Sequence, residues 1–273
     1  MKNLIFDGLF FAAGIGCTQK PANSQQGVVV PVDSVNFTVF RTEINSIIQN
    51  SPRELDIINF VNEKGASYIF DLTLPAGNAE KFETQDEISL SWGAYMTDMI
   101  YANTYNRYDV VPYLGEIIRK MTERLGVKDQ IPGTVKMLTQ LSRDGANKDS
   151  LDYFAGRLID TCRQELSAGE VPDVYALVFI GAGIESFYLL TQLAAYAKNN
   201  QEMIAYLSER RDLAKSILRL TELFPDKEAL HPYFEKISSI SRYFDSHPDF
   251  TEKELNELTG LIRDIRNDMF SVS

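Results

Sequence analysis

Between Asp173 and Lys198 the apolar residues neither alternate nor keep to one helical stripe. Val174 to Ile184 is an unbroken run of apolar and small residues, and Phe187-Tyr188-Leu189-Leu190 follows, so a helix here is hydrophobic on nearly every side. Such a helix must be covered all round. Glu185, Ser186 and Gln192 interrupt it and Asp173 closely precedes it, which argues for the centre of a helical bundle and against a membrane span. A second segment, Ser89 to Tyr105, behaves alike, with Leu90, Trp92, Tyr95, Met96, Met99, Ile100 and Tyr101 arranged around Gly93 and Ala94.

The rest of the chain supplies helices to wrap these two. From Ser34 onward apolar residues recur mostly at helical spacing, and three stretches carry the S/T-x-x-E signature of a helix start: Ser51 to Glu54, Thr84 to Glu87 and Thr251 to Glu254. Gly65, Gly126 and Gly169 sit where helices should stop. Helices are predicted over about 37–50, 51–64, 89–105, 109–125, 134–142, 150–168, 173–198, 201–224, 227–244 and from 251 onward. Val28-Val29-Val30 and Tyr68 to Leu74 alone look strand-like, and neither has an evident partner. The expected fold is all-α: a multi-helix bundle, or a short TPR-like αα solenoid, with a buried central helix near 173–198. With 273 residues and 44% hydrophobic content, residues 34–273 suffice for one sizeable core.

The first residues read as an address. Lys2 is followed by an apolar run from Gly8 to Gly16, the length of a signal core and too short to span a bilayer. Gly16-Cys17 resembles the lipobox of bacterial lipoproteins, though Gly14 stands where leucine is usual and Asp7 interrupts the apolar run. That resemblance implies a signal peptide over 1–16, lipidation of Cys17 and a membrane anchor. Thr18, which is not the aspartate that retains lipoproteins at the inner membrane, directs the chain to the outer membrane, at its periplasmic face or the cell surface. Residues 17–33 are small and polar at first, as a flexible tether would be. The formal net charge of −11 disfavours nucleic acid as a partner.

Two short stretches resemble each other: Gly93-Ala94-Tyr95-Met96-Thr97-Asp98-Met99-Ile100-Tyr101 and Gly181-Ala182-Gly183-Ile184-Glu185-Ser186-Phe187-Tyr188. Both, with Tyr113-Leu114 and Leu125-Gly126, are similar to a family of uncharacterised all-helical lipoproteins of Bacteroidota. The resemblance covers roughly 51–224 and implies an envelope location and a helical fold; it implies no activity.

Asp98 and Glu185 need an explanation of their own, because an isolated carboxylate inside an apolar helix is costly unless it is paired or protonated. If the two helices pack at their glycines and alanines, the acids come near Tyr95, Tyr101, Asn103 and Tyr188. Three roles stay open. The acids fix helix register through a Tyr, an Asn or an arginine such as Arg107 or Arg157; or Tyr95, Asp98, Tyr101, Glu185 and Tyr188 line a ligand pocket; or the acids catalyse. Other chemistry is thin: His231 and His247 each precede a proline, Cys162 lies in an amphipathic helix with no flanking histidine, and Gly183 to Phe187 does not form a nucleophile elbow. No metal, cofactor or catalytic set is expected. The reading is a binding or scaffold module for a protein partner or small ligand, with an enzyme built on Asp98 and Glu185 as the alternative.

Overall fold

The computed structural model of the chain describes residues 34–127, 130–168 and 172–271. The leader, Cys17, the tether, Val28-Val29-Val30 and Gly169 lie outside these residues. Eleven α-helices and no strand are found among them: α1 Ser34–Gln49, α2 Glu54–Glu63, α3 Gln85–Thr104, α4 Val111–Arg124, α5 Gln130–Arg143, α6 Lys148–Ala168, α7 Pro172–Tyr196, α8 Gln201–Ser208, α9 Arg211–Glu222, α10 Phe234–Ser246 and α11 Glu252–Phe270.

The fold is a bundle around α7. This helix touches α1, α2, α3, α6, α8, α9 and α11, whereas a solenoid unit meets only its neighbours, so the solenoid alternative is set aside. By length and apolarity α7 could cross a membrane, but its apolar window is entirely buried by the other helices.

Its largest interface is with α3. A Cβ on Gly93 would collide with the backbone oxygen of Val178, and one on Gly181 with that of Leu90. Each glycine thus faces the carbonyl three residues before the other. Contacts advance in the same direction along both helices, with Thr97 Oγ1 reaching Ala182 O at 3.5 Å, so α3 and α7 run parallel. Lys227 Nζ clamps their common end, donating to Asp86 at 2.8 Å and Asp173 at 2.9 Å in the two first turns, where carboxylates oppose the helix dipoles favourably.

Two of the three cap signatures form. Thr84 Oγ1 accepts from the Glu87 amide while Glu87 accepts from the Thr84 amide, and Thr251 with Glu254 closes a second box. Ser51 does not cap α2. Its hydroxyl donates to Ile47 O at the end of α1, and Glu54, buried, turns to Arg163 at 3.6 Å. Gly65 (φ 79°) and Gly126 (φ 68°) end α2 and α4 in the left-handed conformation.

Three more expectations are corrected. The helix drawn over 201–224 is two, divided at Arg210; one turn after Leu207 the sequence offers Arg210 in place of an apolar residue, and its guanidinium folds back over the Tyr206 ring at 4.0 Å. The helix drawn from 227 starts at Phe234, because Pro232 lacks the amide a helix interior needs and sits in a 3-10 turn. Tyr68 to Leu74 is not a strand but part of a strap containing 3-10 turns at Phe70–Leu72 and Ala76–Asn78.

Candidate functional site

The strap runs over the α3–α7 pair without a partner strand, and its backbone groups still require hydrogen bonds where they are buried. Side chains supply them. Tyr101 Oη accepts from the Ile69 amide at 2.8 Å, Asp98 Oδ2 accepts from the Leu74 amide at 2.7 Å, and Tyr95 Oη donates to Pro75 O at 2.8 Å. From α11, Arg266 Nη2 donates to Leu72 O at 2.9 Å. Leu72, Leu74, Ala79 and Phe82 then bury their apolar side chains beneath.

The same arginine is held by α7. Arg266 Nε and Nη2 each lie 3.0 Å from a Glu185 carboxylate oxygen, a bidentate pair of the strong, directional kind. Tyr188 lies under the guanidinium, 4.3 Å from ring centre to Cζ. The five residues expected at the site, Tyr95, Asp98, Tyr101, Glu185 and Tyr188, are therefore gathered in one place, by three helices and the strap. Asn103 is not among them; its amide donates to Asp152 at 3.3 Å. Nor are the suggested cations: Arg107 pairs with Asp109 at the surface and Arg157 is exposed on α6.

Asp98 and Glu185 are fully buried and Arg266 is 7% exposed. Burial raises the Asp98 carboxyl well above the ordinary aspartate range and the Glu185 charge raises it further, while Arg266 and the Leu74 amide pull it down. Asp98 Oδ1 receives no N–H or O–H donor, yet the Asp98 and Glu185 carboxyls are within hydrogen-bonding reach. Glu185 is the carboxylate that pairs with Arg266, and burial favours the protonated form of Asp98. The surrounding tyrosines stay neutral: burial pushes Tyr68 up to about 12 and drives Tyr95 and Tyr101 higher.

No protein-family model, curated protein or solved structure matches this chain. The site is accordingly read from its own geometry.

None of the cavities described is lined by Asp98, Glu185 or Arg266. Acid–base chemistry needs a reacting atom within hydrogen-bond reach, and both carboxyls are fully buried. Of the cavities described the largest, about 770 Å³, lies instead between the strap and α4. Ala76 and Ala79 form one side, Ile117 and Met121 of α4 the other, Glu80, Glu116, Lys120 and Arg124 the rim, and Tyr113 stands 59% exposed at its edge. Tyr113 is also an electrostatic neighbour of the buried Tyr95.

Arg266 is the member that sequence reasoning misses. It sits in an acidic helix whose stripe of Leu255, Leu258, Ile262 and Ile265 looks complete without it. The available signal is position: Arg266 is four residues after Ile262 and three before Met269, both buried on the same face. Elsewhere the thin chemistry has structural explanations. Cys162 is buried against Met96, sulfur to sulfur 3.4 Å, and burial pushes its thiol up, away from reactivity. His247 Nδ1 sits 2.9 Å from Tyr243 O at the end of α10. Among the described residues no three His, Cys, Asp or Glu side chains converge to hold a metal.

Proposed function

We propose that this chain is a lipid-anchored, non-enzymatic binding protein of the cell envelope, tethered through Cys17 at the outer membrane and using the cleft between α4 and the strap to receive a segment of a protein partner. One observation carries the reading: the convergent acids are buried and spent on internal bonds, while an accessible concavity lies between the strap and α4 without them. An apolar floor of Ile117, Met121, Ala76 and Ala79 under a rim of both charge signs suits an apolar anchor side chain flanked by polar peptide. The leader pattern and the polar stretch after Cys17 support the anchor, and two acyl chains suffice for stable attachment.

The test places a photo-crosslinking amino acid at Tyr113 in the membrane-expressed protein. Gly77 lines the cleft, and a Cβ there meets nothing within 4 Å, so Gly77→Trp fills the cleft without disturbing the core. Peptide adducts that disappear with Gly77→Trp support the reading. Adducts of small-molecule mass, or none above background, overturn it. Mass spectrometry of the membrane fraction checks the anchor: an unprocessed, unacylated N-terminus removes it.

A further inference from the structure

We propose that one proton shared by Asp98 and Glu185 latches the 66–82 strap onto the α3–α7 pair, and that losing this proton frees the strap. The geometry sets up the device. Asp98 uses one oxygen to hold the Leu74 amide, its other oxygen is buried without a donor, and Glu185 lies within hydrogen-bonding reach of the carboxyl. Glu185 in turn fixes the arginine that holds Leu72 O. With the proton present, the buried groups sum to zero charge: a neutral Asp98, an ionised Glu185 and Arg266. Without it, two carboxylates face one guanidinium in a site closed to water, and a buried uncompensated charge is strongly disfavoured.

No other group facing Asp98 can absorb the change. Glu185 and Tyr188 face it from α7, Arg266 from α11, Tyr95 and Tyr101 from its own helix and Tyr68 from the strap. The tyrosines are all displaced upward by burial and remain protonated, and Arg266 remains charged. Relief comes by hydrating Asp98. That requires the strap to lift, and the proton passes to water as it does.

The sign follows from linkage. In the closed form Asp98 titrates above its ordinary value; in the open, hydrated form it titrates near pH 4. Between these limits the closed form holds one more proton. Opening therefore becomes about tenfold more favourable per pH unit until Asp98 ionises in the closed form, then levels off. Because residues 76–80 form one side of the α4 cleft, the proton also governs that cleft, a consequence that rests on the binding reading above.

The test is hydrogen exchange of peptides within 66–82 in the full chain across a pH series, with each rate divided by its intrinsic value, for wild type and Asp98→Asn. The asparagine keeps the acceptor for Leu74 and offers Glu185 a permanent donor. Expected is a wild-type opening constant that rises about tenfold per pH unit above pH 4, against a flat profile in the variant. Equal profiles, whether both rise or both stay flat, overturn the latch. Should the variant fail to fold, infrared spectroscopy of the wild type through the same pH series decides: a protonated-carboxyl stretch that persists above the ordinary aspartate range is expected, and its absence overturns the proposal. Capture at Tyr113 with pH-independent strap exchange sinks the latch and spares the binding reading; pH-gated exchange with no capture does the reverse.

Discussion

A guanidinium as buried as Arg266 is stable only beside a compensating negative charge, and two carboxyls stand ready to provide it. The structure assigns that charge to Glu185 through two 3.0 Å bonds, and Asp98 is a second buried carboxyl that interacts electrostatically with Arg266. This redundancy makes a specific stability pattern. Asp98→Asn leaves Glu185 and Arg266 paired, and Glu185→Gln lets Asp98 ionise against Arg266 with the glutamine amide donating to it. Each single variant should cost about 1–2 kcal/mol, the scale of one adjusted hydrogen bond. The double variant strips the arginine of every counter-charge and should cost about 3–5 kcal/mol beyond the sum. Denaturant unfolding of the four proteins checks this; additivity would show that the acids do not share one charge. The two acids were legible in the sequence because they interrupt the most apolar helices. Their partner was not, since Arg266 lies among charged neighbours, and nothing in a linear pattern tells which of several arginines a distant helix will turn inward.

Among elements, the α3–α7 contact depends on two hydrogen atoms where other residues carry a Cβ. The Cα–H groups of Gly93 and Gly181 point at the backbone oxygens of Val178 and Leu90, weak contacts typical of closely approaching helices. A methyl group there meets backbone, which cannot swing aside. Gly93→Ala and Gly181→Ala should each destabilise by about 3 kcal/mol or more, with melting lowered by roughly 2–4 °C per kcal/mol. Gly260→Ala in α11 is the control: a Cβ there meets nothing within 4 Å, and restoring helix propensity should stabilise by about 0.5–1 kcal/mol. Thermal unfolding of the three variants tests both signs at once. The close approach was readable from Gly93-Ala94 and Gly181-Ala182 in apolar surroundings, as were two cap boxes and most helix spans. The strap was not. Tyr68 to Leu74 has the β-branched and aromatic content of a strand, yet its amides and carbonyls bond to Tyr101, Asp98 and Arg266, partners that exist only once α3 and α11 are in place.

Across the whole molecule, those same bonds join parts of the chain far apart in sequence: the strap, the two central helices and the last helix. Because α11 closes this circuit, it should be required for a unique fold rather than serve as a removable appendage. It buries Leu255, Leu258, Ile262 and Ile265 as well as Arg266, packs on α7 and α10, and its Phe270 carbonyl accepts from Asn78 in the strap at 3.0 Å. A chain ending at Phe250 would leave Glu185 and Leu72 O without their buried donor and expose one flank of α7. The other helices keep their apolar stripes and α3 keeps its capping box, so helix content should survive while fixed packing is lost, as in a molten globule. Trp92, the single tryptophan and fully buried in α3, reports the difference: the shortened chain should retain its far-ultraviolet dichroism and lose the near-ultraviolet signal and the sharp thermal transition. A cooperative transition within a few degrees of the full chain, with Trp92 still ordered, would mean that α3 and α7 hold the strap without the arginine. The circuit through Arg266 would then not govern the fold.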